Sequence, residues 1–266
     1  MKKTLFYLLL SMQAVFAGHH VADMEPATVN VKNFEEDVQK AEYIATLETW
    51  HDIIVDDIGY RGRVVIAVGE DNSRQTRIKY TQDEYHLGLT LYSLDGGKHW
   101  RKVLEGDIPL RRVIVLEKKK AIAIGSMEGA GGVVKMTEDA GEHWKTVYEG
   151  GFLNDITQHS NGFFVAGDGI LYSKDGIKWY PALQGEDEFY AILSIGYNRL
   201  VAAGNGKILF SNDSGRSWRT ATVSTDIAGV SITHIYRKNG NLYVRATYPD
   251  GFKLVSCDDG EHWTEE

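Results

Sequence analysis

The sequence predicts an all-β fold, a propeller of four-stranded blades. Five blades are expected, with six as the alternative, preceded by an N-terminal extension. Three observations predict it. A short turn of the form Ser/Thr-x-Asp, then Gly, then Trp recurs five times. Five of the six tryptophans close those turns, at spacings of 44, 35, 39 and 45 residues. Ahead of each turn stand short runs of β-branched and aromatic residues split by glycine, which mark strands and turns. Four such runs per repeat of roughly 40 residues match the size of a propeller blade.

The first element is MKKTLFYLLLSMQAVFA, residues 1–17. A basic start, an apolar stretch too short for a membrane span, and small residues at Val15 and Ala17 read as a secretory signal cleaved after Ala17. The expected location is therefore exported, periplasmic or secreted, in a bacterium, with no transmembrane segment after cleavage. The chain carries a formal charge of −8 and becomes more acidic once Lys2 and Lys3 are removed. It has no electrostatic reason to bind nucleic acid or anionic lipid. A single cysteine, Cys257, excludes an internal disulfide.

Residues 18–47 form the extension. EPATVNVKNF (25–34) or AEYIATLE (41–48) suits an outer strand that closes the ring, because an open sheet edge invites aggregation. FEEDVQKAEYIATL (34–47) suits instead a short amphipathic helix. A cleaved terminus at Gly18-His19-His20 holds the donors of a square-planar copper(II) or nickel(II) site. Histidines are common in short exported tails, and no metal or cofactor is assigned.

The propeller itself spans 48–266. Its turns are SLDGGKHW with Ser93, Asp95, Gly97 and Trp100, and TEDAGEHW with Thr137, Asp139, Gly141 and Trp144. The third, SKDGIKW, with Ser173, Asp175, Gly176 and Trp179, is one residue shorter. SNDSGRSW follows with Ser211, Asp213, Gly215 and Trp218, and SCDDGEHW with Ser256, Asp258, Gly260 and Trp263. Asp is expected to accept backbone N–H groups two residues on. Gly supplies a backbone angle that other residues resist. Trp buries its face between neighbouring sheets while its N–H finds one partner. Five equivalent acids suit a fold better than one active site, so these residues are read as structural. His99, His143 and His262 share one position in the repeat and are read the same way. The chain ends WTEE after the last turn, so the outermost strand of the last blade is expected to be nearly absent.

These repeats resemble Asp-box (BNR) repeats, the S-x-D-x-G-x-x-W turns of sialidase-type propellers. The stretch from AVG to SLDGGKHW (67–100) also resembles repeats of the photosystem II stability and assembly factor family. The resemblance covers roughly residues 50–263. It implies a box joining the third and fourth strands of each blade, and a protein partner, one in the cell envelope here. It does not imply an activity, since Asp boxes occur in proteins without hydrolase chemistry.

The sialidase template is met poorly. It requires three arginines clamping a carboxylate, a Tyr nucleophile with a Glu partner, and a separate Asp acid. The family's F-R-I-P motif is absent, and the nearest text, DIPLRR (107–112), follows the first box instead of preceding it. Arg77, Arg111 or Arg112, and Arg245, with Tyr248 near them, are the residues that would have to converge. No G-x-S-x-G or H-E-x-x-H motif occurs. The expected function is therefore a non-enzymatic, protein-binding or assembly scaffold. A sialidase-like glycoside hydrolase or a glycan-binding propeller is the alternative. Function is expected on the face that carries the loops between second and third strands and the links between blades. One such loop is long, EDNSRQTRIKYTQDEYHLG (70–88). Long loops in compact domains are often functional, and Arg and Tyr are favoured interface anchors. Arg74, Arg77, Lys79, Tyr80, Tyr85 and His86 are the candidate binding residues.

Overall fold

The computed structural model describes residues 38–47, 53–77, 84–106, 108–117, 119–249 and 251–266. The signal segment, the Gly18-His19-His20 terminus and residues 25–34 lie outside them.

One helix, α1 (Val38–Ala45), opens the described chain. Residues 41–45 are thus helical, not the start of a strand over 41–48. The short apolar set Tyr43 and Leu47 recurs at helical spacing and is buried. All else is strand and turn. Strands β1 (Ile53–Arg61), β2 (Val64–Arg77), β3 (Glu84–Ser93) and β4 (Arg101–Gly106) form one antiparallel sheet in sequence order. Strands β5 (Leu110–Glu117), β6 (Lys120–Met127), β7 (Gly131–Thr137) and β8 (Lys145–Gly150) form the next.

The third and fourth repeats share a six-stranded sheet. It runs through β9 (Leu153–His159), β10 (Gly162–Ser173), β11 (Tyr180–Ser194), β12 (Leu200–Gly204), β13 (Ile208–Ser211) and β14 (Arg219–Thr220). The GDG link at 167–169 is so tight that β10 passes through it. The acidic stretch LQGEDEF (183–189) is likewise strand within β11. In the last sheet, β16 (Ser231–Lys238), β17 (Asn241–Tyr248), β18 (Lys253–Ser256) and β19 (His262–Glu265) pair in order, and β15 (Thr222–Val223) adds in parallel outside β19. The outermost strand is therefore present in HWTE, short but paired, and the preceding linker covers its edge.

Burial follows from the strand period. Apolar faces meet between successive repeats: Ile66 and Val68 with Val113 and Val115, Ile122 and Ile124 with Ile156 and Val165, Phe164 and Ile170 with Ile192 and Leu200, and Val201 and Ile208 with Ile235 and Leu242. The first repeat differs. Its Ile53, Val55 and Leu89 pack with Tyr43 and Leu47 beside α1.

Four of the five turns share one hydrogen-bond set, and the third departs from it. The Ser93 hydroxyl donates to Asp95 Oδ1 (2.8 Å) and accepts from the Gly97 N–H (2.9 Å). Asp95 Oδ1 accepts from the His99 N–H (3.0 Å), and the His99 ring Nδ1 donates to Asp95 Oδ2 (2.6 Å). Thr137, Asp139 and His143 repeat this, as do Ser256, Asp258 and His262. In the fourth turn Ser217 takes the place of the histidine. The aspartate thus clamps an N–H four residues on, not two. The short third turn is the exception: Asp175 Oδ1 accepts from Ile177 and Lys178, two and three residues on.

The missing residue explains the change. Before each turn glycine stands a residue with positive φ, Gly96 (78°), Ala140 (69°), Ser214 (61°) or Asp259 (59°), and the third turn has none. The glycines lie against the preceding neighbour: Gly97 on Tyr43, Gly141 on Thr90, Gly176 on Ile122, Gly215 on Phe164 and Gly260 on Val201. A Cβ would clash at Gly97, Gly215 and Gly260 and press tightly on the neighbour at Gly141 and Gly176.

The tryptophans are less uniform than expected. Trp263 is fully buried and its Nε1 donates to the Gly260 carbonyl (2.9 Å). Trp179 makes the same bond to Gly176 (3.0 Å). Trp100 donates to Thr46 Oγ1 (3.0 Å) beyond α1. Among the described residues nothing accepts from the buried Nε1 of Trp144 or Trp218. Cys257 is exposed.

Candidate functional site

Strands β1, β5, β9, the second half of β11, and β16 each contribute to one central cavity. Asp57, Arg112, Val113, Asp155, Thr157, Ile192 and Ile235 line about 170 Å³ of it, with Lys40 of α1 entering the same space. Near the starts of these strands it opens into a mouth of about 380 Å³. Asp56, Arg111, Arg112, Asn154, Tyr190 and Thr233 form its walls, with Phe152 and Ser126 at the links.

Charge is neutralised by design of the strand starts. The Arg111 guanidinium bonds Asp56 Oδ2 (2.7 Å) and Glu70 Oε1 (2.5 Å) through different nitrogens. Burial pushes the Asp56 carboxyl above its ordinary value, and Arg111 pulls back only part of that. Deeper in the channel, Asp57 accepts from Lys40 Nζ (2.8 Å), from its neighbour Ile58 N–H (2.8 Å) and from Val113 N–H (3.0 Å). Burial alone pushes Asp57 up; Lys40 and Arg112 outweigh it and hold the carboxyl below its ordinary value. Arg112 stands 3.5 Å from Asp155 through Nε and donates to the Arg111 carbonyl (2.6 Å). The Nε contact is an ion pair without hydrogen-bond geometry.

The polar groups on the walls are positioned by backbone bonds. Ser126 Oγ donates to the Leu153 carbonyl (2.8 Å) and accepts its N–H (2.6 Å), fixing the link before β9. Asp168 accepts the Phe152 N–H (2.9 Å) and leaves the Phe152 ring 37% exposed at the mouth. Asn154 donates to the Phe189 carbonyl (3.0 Å). The Tyr190 hydroxyl donates to Glu188 (2.8 Å); burial, reinforced by that carboxylate, pushes its pKa up to about 12. Tyr190 is therefore protonated at physiological pH, and its one hydroxyl proton is held by Glu188.

Of the arginines that the sialidase template would need, Arg111 and Arg112 line the mouth, and both are paired with carboxylates. Arg245 lies on β17 opposite His234, and Tyr248 is 71% exposed; neither lines the mouth. Among the described residues the three-arginine clamp is not assembled.

The 70–88 stretch is mostly ladder rather than loop. After an irregularity between Asp71 and Gln75, Gln75 pairs with His86, Thr76 with Tyr85 and Arg77 with Glu84. Arg74, Arg77, Tyr85 and His86 are thus placed along this extended hairpin by its backbone. Lys79 and Tyr80 lie outside the described residues. At the hairpin base Lys102 bonds the buried Asp71 (2.8 Å).

Sequence reading missed Asp56, Asp57, Glu70, Asp155 and Tyr190. A signal was available: IIVDDIGY and LRRVIVL place adjacent like charges inside apolar runs. A buried charge is tolerated only when paired, so an acid pair on one inner strand and a basic pair on the next announce each other.

No family model and no curated protein matches this chain. Solved structures do. The chain resembles YCF48 bound to D1 peptide, with a TM-score of 0.56 at 18% identity over 81% of this chain and 67% of that one. It resembles YCF48 from Cyanidioschyzon merolae, with a TM-score of 0.54 at 18% identity over 81% and 85%. It also resembles the GH74 xyloglucanase of Xanthomonas campestris, with a TM-score of 0.57 at 13% identity over 79% of this chain but 38% of the enzyme. At such identities the likeness carries the fold, a β-propeller, and not an activity.

Proposed function

We propose that this chain is an exported, non-enzymatic, five-bladed Asp-box propeller that holds an extended segment of a protein partner in the cell envelope. The five blades are the five repeats, with β10 supplying the second and third strands of the third blade, β11 the last strand of the third and the first of the fourth, and α1 standing beside the first blade where a preceding sheet would pack.

One observation carries the reading. The charged groups at the mouth are committed to one another: Arg111 to Asp56 and Glu70, Arg112 to Asp155. Glycoside hydrolysis needs an acid and a second carboxylate free to act on the sugar. A mouth with paired charges, an exposed Phe152 and the half-buried aromatic Tyr190 suits recognition of a chain instead. Likeness to a propeller solved with a bound peptide supports the same choice. The β2–β3 hairpin, with Arg74, Arg77, Lys79, Tyr80, Tyr85 and His86, is the second contact area for that partner.

Capture from a detergent-solubilised envelope tests this. Wild type should retain a partner that Phe152→Ala/Asn154→Ala loses, while Arg74→Ala/Arg77→Ala/Tyr80→Ala weakens capture with the urea midpoint unmoved. Turnover of a sialoside or xyloglucan panel with no captured protein would reverse the choice in favour of a glycan enzyme.

A further inference from the structure

A second groove is larger than the mouth. It lies between the third and fourth repeats, at the end where the box turns stand, and measures about 1000 Å³. Strand β9 links the two places: Leu153 at its start lines the mouth and His159 at its end lines the groove. Six strand steps put them about 20 Å apart.

The walls of this groove have a definite chemistry. Lys174 from the third turn and Arg216 from the fourth supply positive charge. The aspartates of the same turns are spent within them, Asp175 on Ile177 and Lys178 and Asp213 on Ser217. Two cations against the one lining carboxylate, Asp175, leave the groove lining net positive on a chain of net charge −8. Apolar groups stand around it. Tyr180 is 58% exposed and Tyr197 87%, two of the six exposed large hydrophobics among the described residues. Tyr180 precedes the groove-lining Pro181, and the Tyr197 carbonyl accepts from Ser160 of the groove wall (2.6 Å).

The floor is polar and incompletely bonded. His159 is 6% exposed; its Nδ1 contacts Ser194 Oγ (2.8 Å) and its Nε2 has no partner. Asn161 donates to the Ser214 carbonyl (3.2 Å), but its Oδ1 accepts nothing. Buried polar atoms are normally satisfied, and an extended chain offers an N–H at every residue. The short third turn belongs to the same place: it lacks the residue that the other turns hold at positive φ, and Asp175 takes a side-chain bond from Ser173 (3.2 Å) where the other turns add a histidine or serine four residues on.

We propose that this groove is a second docking site, on the face away from the mouth, for an extended acidic protein segment that carries an aromatic side chain. The rim cations meet its carboxylates, Tyr180 and Tyr197 meet its ring, and its backbone N–H groups face Asn161. A scaffold with one site at each end of β9 holds two segments at once, which a single-site binder cannot do. The inference stands apart from the mouth reading and fails separately from it.

Fluorescence anisotropy on the full chain tests it with two labelled hexapeptides, Asp-Glu-Phe-Asp-Glu-Tyr and Lys-Lys-Phe-Lys-Lys-Tyr. The acidic peptide should bind with Kd below about 1 mM and shift the His159 ring signals in NMR. The basic peptide should not. Lys174→Glu/Arg216→Glu, two exposed changes, should weaken the acidic peptide at least about tenfold with an unchanged urea midpoint. Phe152→Ala at the mouth should leave its affinity unaltered. No saturable binding, equal binding of both peptides, indifference to the charge reversal, or loss in Phe152→Ala overturns the proposal. Displacement of the His159 signals by cello-oligosaccharide but not by the acidic peptide also overturns it, in favour of a glycan.

Discussion

The first and last repeats each use four strands and the same Ser-Asp-Gly-Trp turn, yet rest on different neighbours. Trp263 and Gly260 of the last repeat sit against Val201 of the repeat before it. Trp100 and Gly97 of the first sit beside α1, with Tyr43 against the glycine and Thr46 on the indole. Trp263 is fully buried, whereas Trp100 stays half-buried beside the helix, as do Trp144, Trp179 and Trp218 between sheets. A box turn therefore specifies its own backbone but not what it packs on. That is why the turn tolerates a helix in place of a sheet.

Alanine substitution should separate the two sites. Trp263→Ala should cost about 3–5 kcal/mol in urea melts, the usual cost of emptying a fully buried aromatic site. Trp100→Ala should cost about 1–2 kcal/mol, since it loses half the burial and one hydrogen bond. Thr46→Val removes the acceptor and should change nothing further once Trp100 is alanine. Equal costs at the two tryptophans would break the comparison.

The next largest effect lies in the ion pair that α1 sends into the channel. Lys40 and Asp57 have side chains only 17% and 11% exposed. Lys40→Met leaves a buried carboxylate with Arg112 and two backbone N–H groups. About 2–4 kcal/mol should be lost, because uncompensated buried charge is costly. Adding Asp57→Asn to that variant should restore part of the loss. If Lys40→Met melts like wild type, α1 does not anchor the first repeat through the channel.

Much of this was legible in the sequence, and for a physical reason. A turn needs a fixed set of polar atoms and one permissive backbone position, so Ser/Thr, Asp and Gly at set spacings betray it. Strand runs between the turns betray themselves by β-branched residues. The mouth was not legible in the same way, because Asp56 and Arg111 lie 55 residues apart and only the stacking of β1 beside β5 makes them partners. The 70–88 stretch misled for the opposite reason: EDNSRQTR has no apolar alternation, and its strand is imposed by the β3 ladder rather than by its own side chains. Residues 41–48 fit strand and helix alike on pattern, and burial of Tyr43 and Leu47 decides for helix.

A smaller effect sharpens the view of the turn itself. Ser214 is held at φ 61°, where the first turn has Gly96 at 78°. A side chain at such angles is strained, and glycine is not. Ser214→Gly should raise stability by about 0.5–1 kcal/mol. Loss of stability on this change would mean that the Ser214 side chain contributes more than its backbone costs.

The smallest effect is the acid response of the turns, small because their carboxylates are exposed enough for solvent to screen them. In the second and fifth turns burial pushes Asp139 and Asp258 up, but the N–H and ring of His143 and His262 more than offset it and hold both at about 2. Asp213 is held at about 2 chiefly by the Ser217 hydroxyl. These folded values lie below the ordinary 3.8, so the unfolded chain takes up protons first on acidification. Their stabilisation is complete above about pH 4 and is lost as pH falls through about 2. Asp56 runs the other way, since its raised folded value makes protonation favour the folded state. His159 acts earlier: burial depresses its folded value, so stability should begin to fall once pH drops below 6.5, where the unfolded histidine gains its proton. Urea midpoints measured from pH 8 to 2 should therefore step down twice, and His159→Gln should remove only the upper step. If Ser217→Ala leaves the lower step unchanged in size, the side-chain clamp on Asp213 is not what distinguishes the four long turns from the short third one.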